Sequence, residues 1–159
     1  MTEKRTRLPD SISSLVRATG APRTDEIFIL PDRVVERDGK VLAAFRPETQ
    51  ALRVLFRDAG YEVKLPAPED ATRGRYEEHD DSWVLPIILT AAGLPIGIVS
   101  ALVVDWIKSK IGSKESPRVL YRHATIETAD ADIEILEISG TVDDIAQLLE
   151  SGDDTFKTD

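Results

Sequence analysis

The chain has no cysteine among its 159 residues, which excludes a disulfide framework, a thiol nucleophile and a thiolate metal site. That fits a reducing cytosol. Only two histidines are present, His79 and His123, so imidazole chemistry has two places to occur. Bases are in deficit, 20 Lys and Arg against 29 Asp and Glu, for a net charge of -9. Such a chain is not a general nucleic-acid binder, because phosphate binding needs a concentrated basic surface. The Gly-rich phosphate loop, the Gly-x-Ser-x-Gly elbow and the His-Glu-x-x-His helix are all missing. The most informative absence is local: no charged side chain stands between Trp83 and Val104.

The charges that are present are unevenly placed. Residues 1–24 are basic on balance, with Lys4, Arg5, Arg7, Arg17 and Arg23 against Glu3 and Asp10. A secretory signal is not expected there, since Asp10, Ser11, Ser13, Ser14 and Arg17 interrupt any apolar core. Ile12, Leu15 and Val16 instead share a helical face after Pro9-Asp10-Ser11, which predicts a short docking helix. The opposite end is acidic: Asp130, Asp132, Glu134, Glu137, Asp143, Asp144 and Glu150 precede an acidic tail over 153–159. Solubility explains this excess, and an acidic interaction surface is the sharper alternative.

Between residues 25 and 66 the pattern predicts strand, hairpin, helix and strand. Residues 25–30 form an apolar run stopped by Pro31, and Asp38-Gly39 joins two strand-forming stretches at 33–37 and 40–45. That dipeptide tolerates the positive φ angles of a type I′ turn. A helix over 47–59 carries Leu52, Leu55 and Phe56 and closes at Gly60, and a strand follows at 61–65. Residues 67–82 read as an acidic linker with no apolar periodicity, separating two packed parts or leading into a membrane segment. Residues 117–152 read as a ββα unit, in which Thr141 and Asp144 make a capping-box start for a helix over 141–151. The predicted core comprises Phe28, Leu30, Val35, Leu42, Leu52, Leu55, Phe56, Val63, Ile126, Ile135, Ile138, Ile145, Leu148 and Leu149. The fold class is α+β, with antiparallel strand pairs and flanking helices.

The apolar segment, 83–112, admits three readings. At about 1.5 Å per residue, a helix over 83–104 spans the roughly 30 Å hydrocarbon core of a bilayer. Trp83 and Trp106 are then interface anchors, and Lys108, Lys110 and Lys114 form a basic exit. Pro86, Gly93, Pro95 and Gly97 oppose one straight helix, because an interior proline costs about 3 kcal/mol. A helical hairpin turning at Gly93-Leu94-Pro95 keeps both flanks on one side and places Leu94 and Pro95 deepest. A buried helix pair in a soluble core is the third reading. In its second half Val99, Leu102, Val103, Trp106 and Ile107 share a face. The segment is expected to be anchor and contact surface at once, through Trp83, Leu94, Pro95, Leu102, Trp106, Lys108 and Lys110.

Two clusters have the residue types for catalysis. Glu77-Glu78-His79-Asp80-Asp81 has metal-ligand chemistry, but consecutive loop residues point in different directions, and a solvated acidic loop is the simpler reading. His123 shares a strand face with Thr125 and Glu127, where a surface histidine is the commoner explanation and a general base the rarer one. No catalytic residue, cofactor or metal ligand is assigned.

The element order carries a resemblance. The strand at 61–65, the polar linker, the apolar segment ending in Trp106-Ile107-Lys108, the strand pair over 119–138 and the acidic helix at 141–150 resemble the effector-associated constant-component domains of bacterial conflict systems. The resemblance covers residues 50–152 and is one of layout. It implies a non-enzymatic, membrane-linked adaptor acting beside a separate effector or signalling protein in a bacterial defence or signalling assembly. The expected partners are that protein, a membrane and, as a homo-oligomer, further copies of the chain, with nucleic acid excluded. The expected location is the cytoplasmic membrane surface, with the cytoplasm as the alternative. The alternative function is a small soluble hydrolase or metal-dependent enzyme using His79 or His123 with neighbouring carboxylates.

Overall fold

Strand Glu26–Leu30 (β2) is buried at every position, because both faces of its sheet are covered. Ile27 and Ile29 point into one core, and Phe28 and Leu30 point into a second on the opposite face. The structure, a computed structural model, describes residues 2–68, 71–75, 83–111, 118–128 and 133–151. Helices flank a large mixed sheet, and a small second sheet packs beside it.

Chain order gives β1 (Thr2–Arg7), α1 (Asp10–Thr19), β2, β3 (Arg33–Arg37), β4 (Lys40–Phe45), α2 (Thr49–Asp58), β5 (Glu62–Lys64) and β6 (Thr72–Arg75). Then come β7 (Trp83–Val84), β8 (Ile87–Ala91), α3 (Ile96–Ile111), β9 (Val119–Ile126), β10 (Glu134–Gly140) and α4 (Val142–Ser151). The large sheet runs β1-β10-β9-β8-β2-β5, and β7 also pairs with β9. The expected antiparallel pairing holds for β9–β10 and β3–β4, while β8–β9 and β2–β5 are parallel. Parallel neighbours need crossovers, and α3 supplies the first while β3, β4 and α2 supply the second. Strands from both sides of residues 67–82 therefore share one sheet.

Local signals explain most elements. The Asp38-Gly39 turn has φ of 53° and 74°, the pair of positive angles that a type I′ turn requires. Thr141 and Asp144 close the capping box reciprocally, each backbone N–H donating to the other's side chain at 3.3 and 3.2 Å. Helix α1 lays Ile12 and Val16, with Leu8 just before it, against one face of the large sheet, while α2, α3 and α4 cover the other.

Several expectations change. Residues 2–7 form an edge strand, in which Lys4 meets Glu137 of β10 at 3.4 Å, so part of the basic N-terminus neutralises the acidic C-terminal half. Within the supposed linker, β6 pairs with β4. Val35 is 38% exposed, because β3 is an edge strand of the small sheet, and Leu42, Leu55, Val63 and Leu148 are half-buried. The side chain of Leu149 and the acidic tail lie outside the described residues.

The largest change concerns the apolar segment, which is a strand followed by a helix. Residues 87–91 are buried throughout, between β2 and β9, so their lack of charge and, Thr90 apart, their apolarity reflect a two-sided interior strand. Pro86, which lacks an N–H donor, falls at a bulge. Trp83 is in register with Val119 but Ile88 with His123, one extra residue on the β7–β8 side. Leu85 accepts into that gap: its carbonyl takes Nε and Nη2 of Arg122 at 2.9 and 2.7 Å. The same guanidinium donates to Asp32 at 2.7 Å, and Asp32 also accepts from Arg46 of the β4–α2 connection. Pro95 stands immediately before α3, where a missing donor costs nothing. Among the described residues no helix is long and apolar enough to cross a membrane.

Candidate functional site

The contact residues expected from the sequence divide into two groups. Leu94 is buried in the larger core cluster, while Trp83, Leu102 and Trp106 are half-buried against it. Trp83 and Trp106 meet edge to face with centroids 6.2 Å apart, so the two supposed interface anchors anchor each other. Pro95, Lys108 and Lys110 are exposed. Pro95, which the soluble-core reading buries with Leu94, is instead exposed, because the chain turns outward from β8 to begin α3.

Sequence reading named Lys108 but missed the rest of the outward side of α3. Gly97, Ile98 and Ala101 are exposed there, and Ile98 is one of the few large apolar side chains left half in water among the described residues. A shallow groove of about 160 Å³ lies beside them, lined by Gly97, Ser100, Ala101, Val104, Asp105 and Lys108 of α3 and by Ala146 of α4. The missed signal was available in the letters. An ordinary surface helix carries charge on its outward side, and this one carries none before Asp105.

His123 departs from expectation in the other direction. Its ring is 2% exposed, beneath the helical layer, on the same sheet face as Tyr121 and Ile88. Thr90 Oγ1 lies 2.8 Å from Nε2 and Tyr121 Oη lies 2.8 Å from Nδ1. Both hydroxyls can donate or accept, so either neutral tautomer is satisfied. Burial pushes the imidazole down to about 4 and pushes the Tyr121 phenol up. With both nitrogens engaged and the residue 2% exposed, this histidine joins β8 to β9 inside the core. His79 and its acidic neighbours lie outside the described residues. Among the described residues no group of three or more His, Cys, Asp or Glu is placed to hold a metal ion.

Comparison with family models, with curated proteins and with solved structures finds no match.

Proposed function

We propose that the protein is a non-enzymatic interaction module, an adaptor in a bacterial defence or signalling assembly that includes a separate effector or signalling protein. The observation that carries this reading is the uncharged, exposed side of α3, formed by Gly97, Ile98 and Ala101 after Pro95. Ile98 left half in water beside a groove, on a helix side without charge before Asp105, supports a contact surface there. The enzymatic alternative has less support at His123, which is buried in the core. Membrane attachment is the less supported part of the adaptor reading, and the interaction role stands without it.

Ala101→Arg tests the reading. The substituted side chain projects into solvent, so the fold is retained and circular dichroism stays unchanged. Loss of the cellular phenotype and of partners co-purifying from the native host is expected. A fully active Ala101→Arg protein would overturn the reading.

A further inference from the structure

We infer that the neighbour taken by the α3 groove is a second copy of this chain, and that the adaptor acts as a two-fold symmetric dimer. This rests on the reading that α3 is a contact surface and names its occupant. The argument begins with charge. Asp105 and Lys108 line one end of the groove, three residues apart on one helix, and neither makes an ion pair with any described residue. A strongly acidic or basic partner would satisfy one of them and oppose the other. A second copy satisfies both: across a two-fold axis Asp105 of each protomer reaches Lys108 of its partner, giving two equivalent pairs.

The rest of the groove agrees with that arrangement. Two α3 helices crossing in the parallel sense at Gly97 and Ala101 approach closely, because neither residue has a side chain beyond Cβ. Ile98, 50% exposed, then has a place to go: the apolar wall of the partner's groove formed by Ala101, Val104 and Ala146. Net charge strengthens the choice of face. A chain of -9 repels its own copies over most of its surface, and the groove, with one acid and one base, is locally neutral.

Sedimentation equilibrium of the full chain tests this. The unmodified protein is expected to dimerise in a concentration-dependent way, and Ile98→Arg to sediment as a monomer. The charge-swap pair supplies the sharper readout. Asp105→Lys and Lys108→Asp proteins should each dimerise at least about tenfold more weakly alone, through like charges placed across the axis. An equimolar mixture of the two should recover the association as a heterodimer. A monomeric unmodified protein, a dimer indifferent to all three variants, or two weakened variants that fail to rescue each other would each overturn the proposal. Flotation of a monomeric chain with phosphatidylglycerol–phosphatidylethanolamine vesicles, abolished by Ile98→Arg, would also overturn it and assign the groove to lipid. The two readings fail separately: an unmodified monomer whose Ala101→Arg form is inactive sinks the dimer and leaves the adaptor, whereas a rescued heterodimer with a fully active Ala101→Arg form leaves the association standing and removes its role in an adaptor.

Discussion

The indole of Trp83 meets that of Trp106 edge to face, with centroids 6.2 Å apart and planes at 65°. One ring stands on the short strand that opens the uncharged run, and the other on the helix that closes it. The run therefore returns on itself, out along β7 and β8 and back along α3, and the rings join its two ends. Both are half-buried against the larger core. A double-mutant cycle with Trp83→Leu and Trp106→Leu should give a coupling of about 0.5–1.5 kcal/mol in urea unfolding. A coupling indistinguishable from zero would show that the rings merely lie near each other.

Asp32 is the counter-charge for two arginines in a place with little water. Its carboxylate, 7% exposed, accepts from Arg122 and Arg46, whose side chains are 10% and 12% exposed. The three residues come from β9, from the β2–β3 turn and from the β4–α2 connection, so the cluster fastens the small sheet to the large one. Removing one member of a buried ion cluster leaves the remaining charge uncompensated, at a cost of about 3–5 kcal/mol. Asp32→Ala should lose stability on that scale in a denaturant titration. A loss under about 1 kcal/mol, the range of exposed pairs, would mean that solvent already screens the arginines.

Elements legible in the sequence were those specified by neighbours along the chain. The Asp38-Gly39 turn, the Thr141–Asp144 cap, the Gly60 stop after α2 and the apolar stripe of α1 all fall where local chemistry puts them. Elements set by distant partners were not legible. β1 is Thr-Glu-Lys-Arg-Thr-Arg, with no strand alternation, and it is a strand because β10 offers Glu137 and an open edge. β8 is, Thr90 apart, apolar on both faces, and a run of that kind has no period by which to distinguish strand from helix. His123 looked like a surface residue because Thr125 and Glu127 alternate with it, but the helical layer covers the sheet where His123 stands. Most of the candidate groove was invisible for a related reason: α3 was sorted by the side it buries, and of the groove's lining only Lys108 was picked out.

The reciprocal cap at the start of α4 gives a prediction tied to that legible class. Thr141 Oγ1 accepts from the Asp144 N–H at 3.2 Å, and the Asp144 carboxylate accepts from the Thr141 N–H at 3.3 Å. Thr141→Ala removes one of these bonds and should cost about 1 kcal/mol. Because Ile145 and Ala146 of α4 are buried, the loss should appear as reduced global stability as well as fraying. Hydrogen exchange confined to the first turn, with an unchanged denaturation midpoint, would show that the cap is local only.

His123 makes the protein's stability depend on pH in a defined window. In the folded chain burial holds the imidazole neutral down to about 4, while the unfolded chain takes up the proton near the ordinary value of 6.5. Between those values the unfolded state binds more protons, so stability falls as the pH falls. The contribution is whole above pH 6.5 and is lost progressively down to about pH 4. At about 1.4 kcal/mol per pKa unit the loss amounts to roughly 3 kcal/mol. His123→Gln keeps a donor and an acceptor for Thr90 and Tyr121 but has no proton to gain. Thermal unfolding of both proteins from pH 7 to pH 4 isolates the effect, since their carboxylates titrate alike. The unmodified protein should lose roughly 3 kcal/mol more over that range than His123→Gln. Parallel curves would mean that the buried ring reaches water before the fold gives way.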